Sequence, residues 1–330
     1  MVSRLPRFRR LSPRGVALLN ALLIVAALSA VSLALLQRSE ASNARLVEMQ
    51  RAGQAELYLD AVTLQVQQVI GPAARGTDGE TLIVEPSQSW ARPAQGILIG
   101  EGVASWQVAD MQGRFNLAWL GQRLEALPGE DEEETEEPPD LNRMLRDAFS
   151  RLVLERGLSR VELRRLEQAL IPDLGQRVSA YGRATRPPPL PPAALDELLL
   201  VEGIGEEALA ALRPILTTMP ADAGGLNLNT VSAEVLAALM GERSAEALEA
   251  QLASARPFDT VEAALDWVSA RGGPEALALV EALGAGVGSQ WFEARMDVRL
   301  DTLRLRRRVV MQRANPESCC RILSVLSEYP

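Results

Sequence analysis

Few side chains in this sequence are suited to catalysis. The 330 residues include no histidine and no lysine, so all 34 basic residues are arginine. Without imidazole the chain has no Ser-His or Cys-His nucleophile pair and no typical zinc site. Carboxylates remain as acid–base groups, but no motif pairs them as a hydrolase would. We therefore expect a protein that assembles or binds rather than an enzyme.

The other reactive side chains are two adjacent cysteines near the C-terminus, Cys319 and Cys320. Disulfide geometry requires α-carbons farther apart than a single peptide usually permits, so these neighbours are poorly placed to bond to each other. No disulfide framework follows from them, and pairing with another chain stays open.

The first structural element that the sequence predicts is an apolar segment that follows a basic leader. Residues 1–15 hold five arginines and no acid, whereas the rest of the chain has 29 arginines and 43 acidic residues. Residues 16–36 carry no charge and, as a helix, would span about 30 Å, the width of a bilayer core. The charge asymmetry predicts a cytoplasmic leader and a body outside the membrane.

Helix-compatible residues continue beyond this span to residue 70. Leu59, Val62, Val66 and Val69 recur at three- and four-residue spacing, which predicts one long helix whose second half packs on a globular body. An ordinary export signal is the alternative, because "LSA" and "SLA" within the segment could serve as cleavage sites.

The "RG" before an uninterrupted apolar helix resembles the class III signal of type IV pilins and pseudopilins. The resemblance implies cleavage between Gly15 and Val16, methylation of the new N-terminus, and helix packing in a filament through Leu23, Val25 and their neighbours. Most members carry glutamate at the fifth mature position, where this chain has Asn20. A carboxylate in lipid needs a partner, usually the terminal amine of the subunit ahead, so a neutral amide suits a filament tip. The simpler alternative is a tolerated polar residue in an anchor.

The body divides by composition. Strands are predicted within 71–128, an acidic linker at 129–140 and helices over 141–288. Residues 289–330 return to strands: Phe292, Ala294, Met296, Val298 and Leu300 alternate with charged residues, and "DTLRLRRRVVMQR" is predicted as the antiparallel partner. We therefore expect an α+β fold, an antiparallel sheet interrupted by a large helical insertion.

Two local patterns lie in the helical block. Gly203 and Gly205 form a turn that resembles a helix-hairpin-helix, which makes a membrane-tethered DNA-binding protein the alternative function. Acidic residues around this turn would repel phosphate. Farther on, Asn229 or Thr230 is predicted to cap the helix of "SAEVLAAL".

Four stretches in register behind this leader resemble the K-type minor pseudopilins of type II secretion systems: "DMQGRFNL", "LDELLLVEGIGEEALAALRP", "LNLNTVSAEVLAAL" and "SQWFEARMDVRL". The residues that carry the resemblance are Asp110, Gly113, Phe115, Asn116, Gly203, Gly205, Asn227, Asn229 and Thr230.

The resemblance implies a pilin-like domain with a helical (SAM-like or helix-hairpin-helix-like) insertion, a single pass through the inner membrane, and a periplasmic body at a pseudopilus tip. It implies the I- and J-type minor pseudopilins and the prepilin peptidase as partners, with the H-type and major pseudopilins as further candidates, and no nucleic acid. Family members also bind calcium after "ALI". Here that stretch offers Asp173 alone, whereas calcium takes about six to eight oxygen ligands, so no cofactor is expected.

Overall fold

The computed structural model describes residues 13–71, 74–75, 82–124, 139–171, 194–241, 244–313 and 320–328. Within these ranges a long N-terminal helix leads into an antiparallel sheet, helices follow, and the chain returns to the same sheet. The fold is therefore a mixed α+β fold. The predicted acidic linker, Asp173 and Cys319 lie outside the described residues, apart from 139–140 at the end of the linker.

Helix α1 runs without interruption from Pro13 to Ile70. Residues 17–50 are exposed throughout, whereas a stripe in the second half is buried. The buried apolar residues of this stripe are Ala55, Leu59, Val62, Val66 and Ile70, and Val69 is half-buried beside them. Spacings of three and four residues place these side chains on one face, which packs against the sheet.

The main sheet has five antiparallel strands in the order β3-β4-β7-β8-β9. Its strands are β3 (Ala94–Ile99), β4 (Gly102–Asp110), β7 (Trp291–Leu300), β8 (Leu303–Gln312) and β9 (Arg321–Glu328). The predicted hairpin at residues 290–313 is confirmed, because β7 pairs with β8 in register from Trp291–Gln312 to Leu300–Leu303. The alternating apolar residues of β7 face α1 and are at most 5% exposed.

Between β4 and β7 the chain forms the helical insertion. Its helices are α2 (Leu141–Glu155), α3 (Arg160–Leu170), α4 (Glu206–Leu212), α5 (Ala233–Met240), α6 (Ala245–Ala255) and α7 (Val261–Ala282), with 3-10 turns at Leu117–Gly121 and Leu195–Leu200. Within the insertion, β5 (Phe115–Asn116) pairs parallel with β6 (Leu216–Thr217). Before β3, β1 (Ala74–Arg75) pairs antiparallel with β2 (Leu82–Ile83), and a 3-10 turn lies at Ser89–Ala91.

Two large apolar cores and one small cluster follow from this arrangement among the described residues. One core lies between α1 and the sheet, and Cys320 is buried in it. The other is enclosed by the insertion and runs from Phe115, through the inner faces of α2 and α3, to Val287. The small cluster packs Met111, directly after β4, and Trp291 of β7 against Met219 and Ala223 of the insertion, so apolar packing and polar contacts together fix how the insertion sits on the sheet.

The predicted cap of α5 is wrong. Neither Asn229 nor Thr230 caps it; Ser232 does, and its side chain accepts a hydrogen bond from the backbone N–H of Val235. Asn229 and Thr230 lie one turn earlier, where tertiary contacts use their side chains. Thr260 caps α7, because its side-chain oxygen accepts a hydrogen bond from the backbone N–H of Ala263.

Candidate functional site

The first half of α1 is the longest exposed apolar surface described. Among the described residues, one helix, from Ala17 to Ile70, is long and apolar enough to cross a membrane. Asn20, Leu23 and Val25 are all exposed on it, the latter two by 61% and 62%. Gly15 and Val16 lie in its first turns. The residues predicted for processing, tip position and helix contact thus lie in the first part of α1, in which residues 17–50 are exposed throughout.

A second site is a buried polar cluster where the insertion meets the sheet. The junction cluster comprises the side chains of Asp110, Asn227, Thr230 and Ser289. The carboxylate Oδ2 of Asp110 accepts hydrogen bonds from the other three side chains. The distance from Nδ2 of Asn227 to this oxygen is 2.9 Å. These four side chains come from before, within and after the insertion, so the cluster joins all three parts.

Asn227 extends the junction cluster to the loop after β2. Its Nδ2 lies 3.0 Å from the carbonyl oxygen of Val84 and 2.8 Å from Oγ of Ser289, while its Oδ1 accepts the N–H of Asn229 at 2.9 Å. Asn227 is fully buried, so each bond replaces one that water would otherwise make.

The environment of Asp110 disfavours its ionised form. Burial raises the pKa of its carboxyl above the ordinary 3.8, and the hydrogen bonds from Ser289, Thr230, the backbone of Gln112 and Asn227 offset this only in part. All these donors are neutral. The carboxyl is buried and accepts hydrogen bonds from residues before, within and after the insertion, which indicates a structural role.

Gly113 allows the backbone of the insertion to approach the end of β4. A Cβ at this position would lie 2.7 Å from the carbonyl oxygen of Thr230. The neighbouring Gln112 bridges the same gap: its Nε2 donates to the carbonyl of Gly225 at 2.9 Å and its Oε1 accepts from the N–H of Gln290 at 2.6 Å. This close packing requires glycine at position 113.

The remaining motif residues hold the insertion together internally. Asn116 accepts from the N–H of Met219 at 3.1 Å and donates to its carbonyl at 3.2 Å. Asn229 makes the same two-bond contact with the backbone of Phe258, at 2.7 and 3.0 Å. Phe115 is buried in the helical core, its ring centroid 5.8 Å from that of Phe149. These three residues stabilise the fold and expose no surface.

The glycine turn before α4 lies apart from the junction cluster. Gly203 has φ +85°, and Arg165 of α3 covers it, donating to the carbonyl of Glu202 at 2.9 Å. The Glu202 side chain is 92% exposed, and Glu206 and Glu207 occupy the first turn of α4 after Gly205. This turn therefore presents carboxylates where a phosphate-binding hairpin would present positive charge.

No metal centre is visible among the described residues, where no group of three His, Cys, Asp or Glu side chains is close enough to hold an ion. The calcium stretch of the resemblance begins at the last residues of α3, and its one carboxylate, Asp173, is outside the part of the chain that the structure describes.

Comparison with known proteins finds similarity to a component of type II secretion systems. The type II secretion system protein K of Aeromonas hydrophila is 25% identical over 241 residues, covering 68% of this chain and 70% of that protein. The chain is a relative of type II secretion system protein K. The resemblance to the K-type minor pseudopilins that the sequence predicts is thus confirmed.

A solved structure shares the fold of this chain. A chain in the crystal structure of the GspK-GspI-GspJ complex from the enterotoxigenic Escherichia coli type 2 secretion system superposes with a TM-score of 0.63 at 18% identity, over 87% of this chain and all of that chain. No family model matches the sequence.

Several residues important for joining the layers were not predicted. Ser289 and Gln112 complete the junction, and Arg313 donates to the carbonyls of Ile70, Gly71 and Ser289 at 3.1 to 3.2 Å. Arg313 directly follows the alternating strand β8, and Ser289 lies two residues before β7, so strand ends were the available signal. Spacing along the chain could not show that positions 110, 227 and 289 meet.

Proposed function

We propose that this chain is the K-type minor pseudopilin of a type II secretion system, a non-catalytic subunit at the tip of the periplasmic pseudopilus. The observation that carries the proposal is the exposed apolar half of α1 on a chain related to protein K. α1 anchors the precursor in the inner membrane, and cleavage after Gly15 leaves the same helix available to pack against other pilin-like helices.

The position of the insertion supports a place at the tip. Arg313 joins the C-terminal end of α1 to Ser289 of the junction cluster, so the insertion sits near the end of the helix remote from the apolar span. From residue 36 to residue 70 the helix extends by about 50 Å. A bulky domain there would obstruct a subunit stacked above it but leave the sides of α1 free.

The partners we propose are the I- and J-type minor pseudopilins. The related fold was crystallised as a GspK-GspI-GspJ complex, which motivates the proposal for this chain. Contact through α1 requires side chains without other partners, and Leu23 and Val25 satisfy this condition. Co-purification of full chains from membranes tests it: we expect a complex with both partners, and absence of either contradicts the assignment.

N-terminal sequencing of the chain extracted from membranes that contain prepilin peptidase tests the processing step. We expect a methylated Val16 at the N-terminus. A start after Ala30 or Ala34 would show an ordinary export signal, and an intact Met1 a simple tether; either result contradicts the proposal. A Gly15→Leu variant is the control, because a bulky residue at the cleavage position should leave the leader attached.

Calcium is not part of the proposed function. The argument is the donor set: the stretch that binds calcium in family members has one carboxylate here, Asp173. A ligand that binds only the folded state raises its melting temperature. We expect calcium and a chelator to give the full chain the same melting temperature within about 1 °C. A larger stabilisation by calcium would contradict this.

A further inference from the structure

The face of the sheet opposite α1 carries a groove rich in arginine, in a chain with a net charge of −9. Its volume is about 760 Å³. The arginine groove is lined by Arg295 and Arg299 of β7, Arg304, Arg306 and Arg308 of β8, and Arg213 after α4. The exposed members are Arg295, Arg299, Arg304 and Arg306. The groove was not evident from the sequence, because acidic residues predominate along the chain.

The local carboxylates do not balance this charge. Asp297 is shared by Arg304 at 2.6 Å and Arg306 at 3.3 Å. The guanidinium group of Arg299 makes no ion pair or hydrogen bond within the described residues. Arg295 reaches only Glu293, whose side chain is 7% exposed and pairs more closely with another arginine, Arg114, at 2.7 Å. Positive charge therefore remains available at the surface.

The strand register also places like charges opposite each other. Arg295 pairs with Arg308, where Glu293 contacts both guanidinium groups, and Arg299 pairs with Arg304 across β7 and β8. Like charges in directly opposite positions destabilise a sheet. An anion bound between them would reduce this repulsion, so the arrangement favours a ligand with several negative charges.

The shape of the groove suits an extended chain. On the β3 and β4 side the groove is lined by uncharged residues, 93–96, 103 and 105–107, so no carboxylate among the described residues faces the arginines from that side. Glu206 and Arg213 line it on the insertion side. Several guanidinium groups spaced along two strands match carboxylates spaced along a peptide better than a single compact ion.

A membrane is a poor candidate for the ligand. Arg51 of α1 pairs with Asp301 at the β7–β8 turn at 3.1 Å, which places this end of the sheet beside residue 51. From residue 36 to residue 51 the helix rises by about 22 Å, well beyond the screening length of about 8 Å at physiological salt. Lipid headgroups would therefore lie too far from the groove for strong attraction.

We propose that the arginine groove binds an acidic, extended segment of a partner protein. On the proposed function, on which this placement rests, α1 packs toward the helix bundle, so the opposite face points away from it. The partner is then a protein outside the bundle rather than another pilin-like helix. Charge complementarity provides the attraction and makes it sensitive to salt.

Fluorescence anisotropy of a labelled oligoglutamate peptide with the full chain in neutral detergent tests the proposal. We expect binding that weakens at high ionic strength, and a Kd raised about fivefold in Arg299→Gln/Arg306→Gln through loss of two exposed charge contacts. Arg160→Gln/Arg164→Gln, on the exposed face of α3, has the same net charge and is the control; its Kd should change less than about twofold.

Equal weakening in both double variants, or no binding of the peptide, overturns the proposal. Duplex DNA and phosphatidylglycerol vesicles are the comparison probes. If the groove variant loses affinity for either probe while the peptide does not bind, the groove serves nucleic acid or lipid instead. The N-terminal sequence of the mature chain does not depend on these arginines, so a failure here is distinguishable from a failure of the pseudopilin assignment.

Discussion

At the scale of single residues, Asp110 is the buried carboxyl on which the junction depends. Replacement by alanine would remove the acceptor of the Thr230 and Ser289 hydroxyls, whereas Asn227 would keep the carbonyl of Val84 and Oγ of Ser289. We expect Asp110→Ala to lower the free energy of unfolding by about 3 kcal/mol. Chemical denaturation of the full chain measures this, and a loss below about 1 kcal/mol would contradict the role.

The pH dependence of the same carboxyl has a definite sign. Because its pKa is raised in the folded state, the folded chain holds this proton more tightly than the unfolded chain. The contribution of this carboxyl to the free energy of unfolding is fully present below its pKa in the unfolded chain. That contribution is lost as the pH rises through its pKa in the folded chain. Relative to Asp110→Asn, which cannot titrate, the wild type should therefore gain stability as the solution is acidified from neutral pH. A constant difference in melting temperature would contradict this.

Gly113 tests the close approach at the junction. Gly113→Ala places a methyl group 2.7 Å from a backbone oxygen of Thr230, so we expect a loss of about 2 kcal/mol. Gly53→Ala is the matched control, because no atom lies within 4 Å of its Cβ position in α1. That substitution should stabilise the helix by about 1 kcal/mol. Thermal melting of both variants compares them, and equal shifts would contradict the packing argument.

At the scale of elements, Asp196 connects the insertion to the sheet. It pairs with Arg213 after α4 and with Arg308 of β8. Burial alone would raise the pKa of Asp196, but the two arginines outweigh it and lower the pKa. Its stabilisation is therefore present above the unfolded pKa, near about 3.9, and is lost as pH falls through the folded pKa. Asp196→Asn should reduce the acid sensitivity of the melting temperature below about pH 4, and an unchanged profile would contradict this.

Arg313 fixes the end of α1. The last carbonyls of a helix have no partners within it, and this buried guanidinium binds those of Ile70 and Gly71 while its third bond reaches Ser289. Arg313→Met keeps the apolar stem but leaves the carbonyls without their donors, so we expect a loss of about 3 kcal/mol. Arg313→Lys keeps the charge but lacks the fork geometry of the guanidinium group. Its free energy of unfolding, measured by chemical denaturation, should lie between those of the wild type and Arg313→Met.

The sheet was predictable from the sequence where apolar and charged residues alternate along a single strand. The alternation at Phe292 to Leu300 needs only neighbouring residues, and the stripe on α1 likewise depends on local spacing. A helix cap depends on competition between local and distant partners. Thr230 looks like a cap in the sequence, but Asp110, 120 residues away, uses its hydroxyl.

The junction cluster and the arginine groove could not be predicted for the same physical reason. Each brings together residues that are far apart in the chain, and only the strand register and the path of the insertion determine which of them meet. The residues quoted for the family resemblance include three members of the junction cluster, and the fourth, Ser289, begins the quoted stretch "SQWFEARMDVRL", but nothing in these stretches shows that the four side chains meet.

At the scale of the whole molecule, the chain has one end suited to lipid or a helix bundle and another that is broad and polar. The apolar half of α1 is exposed, whereas its second half is fixed to the sheet through the apolar stripe and through Arg307, which pairs with Glu56 and Asp60. The body should therefore move together with the second half of α1 as one unit.

On the proposed function, Asn20 restricts the subunit to the tip of a filament. A carboxylate at this depth costs about 3 kcal/mol in lipid unless a terminal amine of the subunit ahead pairs with it. A tip subunit has no subunit ahead, so Asn20→Glu should leave membrane insertion intact but weaken association with the I- and J-type partners, measured by co-purification from membranes. Asn20→Gln keeps a neutral amide and should behave as wild type. Equal recovery of the partners with glutamate and glutamine would show that the position only tolerates an amide, and the tip argument from this residue would fail.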